Sequence, residues 1–266
     1  MARPTPPHID GLVDAHCHLD YPPMADDVEA TLAAAAATGI SQLVHVGCSL
    51  ARLDPALALA EAHAQVFASV GVHPHEATTL DDAAEDRLRD LARHPKVVAI
   101  GETGLDYYYD RSPRPVQVEA LRRQALLAAA VELPLVLHIR DAHDDALAAL
   151  DGIELPRGGM VHCFTGTPTQ AERWLARGMH ISFSGIATFP KASEVAEAAR
   201  KCPEDRILLE TDAPFLAPVP VRGRPNTPAN VAFTCAHLAR LRGQAPEALA
   251  AHSAQNTRAL LGLPPP

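Results

Sequence analysis

Lysine is almost missing from this chain of 266 residues: Lys96, Lys191 and Lys201 are the full set, and the remaining positive charge is arginine. Acidic residues outnumber basic ones by 32 to 23, a formal net charge of −9. Such a chain lacks the broad basic field of a duplex-DNA binder. Any nucleic acid must be handled locally, through a metal site and a few arginines. Cysteine is scarce too, with Cys17, Cys48, Cys163, Cys202 and Cys235 forming an odd number without a C-x-x-C pair. That argues against a disulfide framework and fits a reducing, cytoplasmic setting. No apolar run approaches the roughly 20 residues of a membrane span. The first eight residues also lack the apolar stretch of a signal peptide, so neither a leader nor a membrane partner is expected. Nor does a G-x-G-x-x-G or G-x-x-x-x-G-K-[ST] loop follow any apolar run, which removes the usual reason to expect an open nucleotide-binding sheet.

What is present is a regular alternation. Apolar or β-branched runs at 12–18, 42–47, 66–73, 97–105, 135–140, 159–164, 180–184 and 207–212 read as strands. Between and after them, Ala-rich amphipathic stretches at 25–38, 51–64, 80–93, 114–132, 142–150, 168–178, 192–201, 228–242 and 245–262 read as helices. Strands alternating with helices imply a parallel sheet with crossover connections. Eight such units in this length predict an α/β fold of the TIM type, a (β/α)8 barrel forming a single domain over 1–266. The Pro-rich ends, 1–10 and 263–266, are expected to be flexible tails. The Pro-rich stretch 213–228 is the longest expected loop, on the face where barrel active sites lie.

Polar residues fall at the ends of the strands. The first strand ends Asp14-Ala15-His16-Cys17-His18, the third Gly71-Val72-His73-Pro74-His75, and the fourth Gly101-Glu102-Thr103-Gly104-Leu105-Asp106. The fifth ends His138-Ile139-Arg140, the sixth His162-Cys163-Phe164, the eighth Glu210-Thr211-Asp212. Residues two apart on a strand share a face, about 7 Å from one another, so His16 and His18 converge while Cys17 turns away. In a parallel barrel these ends meet at one rim. His16, His18, Glu102, His138, His162 and Asp212 would then crowd one small space, a costly arrangement unless a cation satisfies them. Nitrogen and oxygen donors suit Mg2+, Mn2+ or Zn2+. Six donors exceed what one metal with an open position needs, so two divalent ions sharing Glu102 fit better.

These motifs, together with Arg222-Gly223-Arg224-Pro225-Asn226 and Asn256-Thr257, resemble the TatD family of metal-dependent hydrolases along nearly the whole chain. The resemblance implies a deoxyribonuclease, often a 3′–5′ exonuclease on single-stranded DNA. Carried over by motif, His16, His18, Glu102 and Asp212 hold one metal, while Glu102, His138 and His162 hold the other. The expected catalytic pair is Glu102, as bridge, and Asp212, as proton acceptor from the attacking water. His73, Arg140, Glu210 and Arg222 are candidate substrate contacts, Arg140 by phosphate clamping. Tyr107, Tyr108 and Tyr109 offer either a stacking surface for unpaired bases or packing over the barrel mouth. Cys17 and Cys163 are expected to pack between barrel and helices. DNA is the expected substrate and a monomer without an obligatory protein partner the expected state. Two other readings stay open: a hydrolase of a small ester, amide or lactone, and a non-catalytic metal-binding protein. A bridging carbamylated lysine, as in other barrel amidohydrolases, is not available, because none of the three lysines lies in a strand.

Overall fold

The computed structural model describes residues 4–266. Eight parallel strands follow one another around a single sheet in chain order: β1 (Leu12–Cys17), β2 (Ile40–Gly47), β3 (Val66–Val70), β4 (Val97–Asp106), β5 (Leu135–Arg140), β6 (Gly159–Val161), β7 (Met179–Phe183) and β8 (Ile207–Leu209). Helices alternate with them: α1 (Val28–Ala36), α2 (Leu50–Ala62), α3 (Asp82–Leu91), α4 (Arg114–Ala130), α5 (His143–Ala149), α6 (Pro168–Ala176), α7 (Ser193–Lys201), α8 (Val231–Arg242) and α9 (Pro246–Leu261). This is the expected TIM-type barrel in one domain. A strand buried on both faces must be apolar throughout, which is why the strands stand out as continuous runs.

Local chemistry marks the helix ends. Asp27 caps α1 by accepting from the Ala30 N–H, and Asp81 caps α3 through Ala84. Thr167 and Gln170 form a capping box at the start of α6, satisfying two otherwise orphaned donors. Gly243 and Gly262 close α8 and α9 in the left-handed conformation, where a side chain is strained.

Three strands stop three residues short of their predicted ends, and β1 and β7 one residue short. β3 finishes at Val70, β6 at Val161 and β8 at Leu209, so His73, His162 and Asp212 lie just beyond the ladder. Two of these ends are followed within three residues by a turn of the backbone. Cys163 and Asp212 have positive φ, 43° and 54°, which no extended pairing tolerates. Beneath the mouth, Val136, Met160 and Leu208 join Phe67 and Val98 in a small apolar cluster completed by Leu260 and Leu261. Residues two further along, His138, His162 and Glu210, share those faces and carry the polar chemistry upward.

The sheet closes between β1 and β8 without a regular ladder. Asp212 N–H donates to His16 C=O at 2.9 Å, and His18 N–H to Ala213 C=O at 2.8 Å. Below them the Asp14 carboxylate accepts from the Thr211 N–H (2.8 Å) and hydroxyl (2.6 Å). This clasp sets His16 and His18 beside Asp212. The loop after β8 is pinned by Asn226, whose amide donates to Thr211 C=O at 2.9 Å and accepts from Asn230. Of the expected tails, residues 1–3 lie outside the described residues. Ile9 is buried with its N–H on Thr38 C=O, Leu263 is buried, and Pro264 C=O accepts from Gln42.

Candidate metal centre and active-site cleft

Glu102 stands at the centre of the mouth, buried on β4 between two glycines. Neither neighbour tolerates a side chain: a Cβ on Gly101 would meet the Val136 backbone, and one on Gly104 the carbonyl of His138. The two carboxylate oxygens serve different sides. Oε2 lies 3.5 Å from His16 Nε2 and 4.0 Å from His18 Nε2. Oε1 lies 2.8 Å from His162 Nε2, 2.9 Å from His138 Nδ1 and 3.4 Å from His73 Nε2. Asp212 completes the first side, its Oδ1 3.4 Å from His18 Nε2 and 3.8 Å from His16 Nε2.

All six predicted ligands therefore meet; on the His16–His18–Asp212 side their spacing fits metal coordination, while Glu102, His138 and His162 stand at hydrogen-bond distance from one another. Donors about 2.1 Å from one tetrahedral ion lie roughly 3.4 Å apart, close to the separations on the His16–His18–Asp212 side. Among the described residues, both ring nitrogens of His16 and Nδ1 of His18 are buried without a hydrogen-bond partner. A buried imidazole nitrogen aimed at two carboxylates without bonding either is what a coordination site presents.

The electrostatics agree. Burial works against ionisation of Glu102, but the imidazoles of His162, His73, His138 and His16 outweigh it and hold the carboxyl well below its usual range. Asp212 is likewise lowered, burial being overcome by His18, His162 and His16. Burial favours neutral imidazoles, yet the facing carboxylates pull His18, His138 and His162 above their ordinary value. The cluster thus demands positive charge at its centre, which protons or divalent cations can supply.

Other predicted residues surround this centre. His73 accepts the His75 N–H at Nδ1 (3.1 Å), leaving Nε2 as its protonated nitrogen. Burial lowers the pKa of His73 to about 4, so it is neutral at pH 7. Arg140 lines the cleft with its guanidinium 4.2 Å from the Tyr108 ring centroid. Tyr109 lines the cleft as well, whereas Tyr107 donates its hydroxyl to Asp145 on α5. Glu210 is buried beneath the site, within 3.3 Å of His162 Nδ1 and accepting from the Cys163 N–H and the Ser182 hydroxyl. Arg222 is exposed, its guanidinium 4.1 Å from the Phe189 ring centroid, and does not line the cleft. Cys17 packs in the core as expected, while the Cys163 thiol lies 3.2 Å from the Ser184 hydroxyl.

Several contributors escaped the sequence reading. Asp106 Oδ2 joins His138 Nε2 (3.1 Å) to His75 Nε2 (2.9 Å), fixing the face of His138 opposite Glu102. Burial opposes its charge, but these two hydrogen bonds prevail and hold Asp106 well below the carboxylate range. The H-x-H spacing of His73 and His75 was the available signal for it. Tyr21, Cys48, Arg52, Arg111 and Phe215 also line the cleft, which encloses about 660 Å³.

Comparison with known proteins places this geometry. The family model described as "TatD related DNase" matches residues 13–262. The uncharacterized metal-dependent hydrolase YabD of Bacillus subtilis is 36% identical over 251 residues, covering 94% of this chain and 98% of its own. A protein named 3′-5′ ssDNA/RNA exonuclease TatD, from Enterobacter lignolyticus, is 35% identical over 258 residues, covering 95% and 99%. The crystal structure of YjjV, a TatD homolog from Escherichia coli, superposes with a TM-score of 0.91 at 36% identity over 95% of this chain and 98% of that one.

Proposed function

Because the chain belongs to the TatD related DNase family of metal-dependent hydrolases, we propose that the bond it cleaves is the phosphodiester of single-stranded DNA, removed stepwise from the 3′ end. One observation carries the reading: the two oxygens of Glu102 face two separate donor sets, His16 and His18 with Asp212 on one side, His138 and His162 on the other. When bound, two divalent ions, Mg2+, Mn2+ or Zn2+, supply an activated water and steady the charge on the leaving oxygen.

The chain's own residues do the rest. Asp212, kept ionised by its histidines, takes the proton of the attacking water. Arg140 stands over Tyr108 at the cleft wall and clamps a phosphate oxygen. His73 presents a neutral Nε2–H beside Glu102, suited to hydrogen-bond a phosphate or leaving oxygen without adding charge. Glu210 orients His162 from below. Arg222, outside the cleft, contacts substrate further along the strand. The relative named an ssDNA/RNA exonuclease supports this class of substrate. The five free cysteines suit a reducing cytoplasm. No helix among the described residues is long and apolar enough to cross a membrane. A monomer supplies every residue of the site.

The test is release of nucleotides from a 3′-labelled single strand in Mg2+ or Mn2+. The wild-type chain should degrade it progressively. Release no faster than that of Asp212→Asn would refute the nuclease reading.

A further inference from the structure

One wall of the cleft combines features that the hydrolytic chemistry leaves unused. Phe215 is 48% exposed at the mouth, a large apolar ring beside a charged site. It is held there by its N–H on the Asp212 carbonyl (2.8 Å). Its ring centroid lies 5.9 Å from that of Tyr21, edge to face at 68°. Both rings stand against His18, Tyr21 at 5.5 Å and Phe215 at 6.0 Å, again edge to face. The two aromatics therefore form an open corner in direct contact with a candidate metal ligand. An exposed aromatic corner costs solvation and gives the fold little, since neither ring is fully packed.

Arg52 adjoins the same corner. Its guanidinium lies 4.0 Å from the Tyr21 ring centroid and is tied to Asp20 by a salt bridge. Arg52 sits in the first turn of α2, a turn without an acidic residue. A cation at that end opposes the helix dipole, and the Asp20 carboxylate across the loop is what holds it there. With the guanidinium lying over Tyr21, the exposed ring of Phe215 offers the stacking face; such a face next to an arginine can hold an unpaired nucleotide, base on ring and phosphate on arginine.

We propose that Tyr21, Phe215 and Arg52 form a nucleotide subsite that holds the base of one nucleotide flanking the scissile phosphate, with Arg52 on its backbone. Across the ligand cluster, Arg140 with Tyr108 and Tyr109 forms the opposite wall. The strand thus runs from one aromatic wall to the other, over Glu102. A base paired in a duplex cannot enter the corner, which makes this subsite a source of selectivity for single strands. The inference rests on the nuclease reading above.

The experiment uses 3′-labelled single strands in which either nucleotide flanking the first cleaved bond is made abasic in turn. Wild-type protein should show a KM raised roughly 10-fold by an abasic residue at one of the two positions, in keeping with the loss of one base–aromatic stack. Phe215→Ala and Tyr21→Ala should raise KM similarly on the normal strand, leave kcat nearly unchanged, and lose sensitivity to the abasic residue at that position. Phe215→Leu, which keeps apolar bulk but not the aromatic face, should behave as Phe215→Ala. Arg52→Gln should weaken normal and abasic strands alike and flatten the salt dependence by about one phosphate contact. Indifference of the wild type to both abasic positions, or an equal effect of the aromatic variants on normal and abasic strands, would overturn the subsite alone. A wild-type chain that releases no nucleotide from any strand would overturn the nuclease reading and this inference with it.

Discussion

Glu102 and His162 meet across the barrel mouth with 2.8 Å between Oε1 and Nε2, while the second oxygen of Glu102 faces His16 and His18 instead. This division makes Glu102 the carboxylate that faces both donor sets. Glu102→Gln removes an anionic donor from each. Metal bound per chain, read by elemental analysis after dialysis, should fall from two to one or fewer, and kcat/KM should drop by about 10³-fold or more. A variant retaining two ions would show that Glu102 is not the bridge.

Glu210 acts on the same centre through His162. With one oxygen near Nδ1 and on the Cys163 N–H, and the other on Ser182, it fixes the ring so that Nε2 faces Glu102. Loss of such a partner typically costs roughly 10- to 100-fold in metal affinity. Glu210→Gln should therefore raise the metal concentration needed for half-maximal rate by that factor, with most of kcat recovered at saturating metal. Unchanged metal dependence would remove Glu210 from the mechanism.

The clasp between β1 and β8 is a stability element. Asp14→Ala leaves the buried Thr211 N–H without its acceptor, a loss of about 1–3 kcal/mol. Urea unfolding should show a lower midpoint at unchanged slope. Since Thr211 adjoins Asp212, metal binding should weaken as well.

Acid sensitivity should come partly from a residue remote from the chemistry. His143 on α5 accepts the indole N–H of Trp174 at 3.0 Å. Burial lowers its pKa from 6.5 to about 4. The unfolded chain therefore binds a proton here more readily than the folded one. The stability contributed by neutral His143 is complete above pH 6.5 and is lost as pH falls towards 4, on the order of 3 kcal/mol in all. His143→Gln should be less stable at pH 7.5 but show a shallower decline between pH 6.5 and 4, as thermal unfolding at fixed metal would reveal. An identical pH profile for variant and wild type would contradict this.

The barrel was legible because its strands are buried on both faces and so read as apolar runs separated by amphipathic stretches. The ligands were legible for a related reason. A histidine or carboxylate closing an apolar run is conspicuous, and barrel topology gathers such residues at one rim. Strand lengths were less so: the ladder ends at Val161 and Leu209, short of the left-handed turns at Cys163 and Asp212, and the side chains do not announce either. The Asp106 link between His75 and His138, the Asp20–Arg52 pair and the Tyr21–Phe215 corner were not legible at all. Each joins segments far apart in the chain through distances that no local pattern encodes. Glu210 was visible as a strand-end acid, but its place beneath His162 required the packing of β7 against β8.

The central claim is a phosphodiesterase with two cations sharing Glu102, and a metal titration of turnover tests it most directly. Protein stripped by a chelator and returned to buffer should release no nucleotide from a 3′-labelled single strand. Release should then rise with added Mn2+ and reach its plateau only as the second equivalent binds. A plateau at one equivalent, full release by the stripped protein, or no release at any metal level would contradict the account.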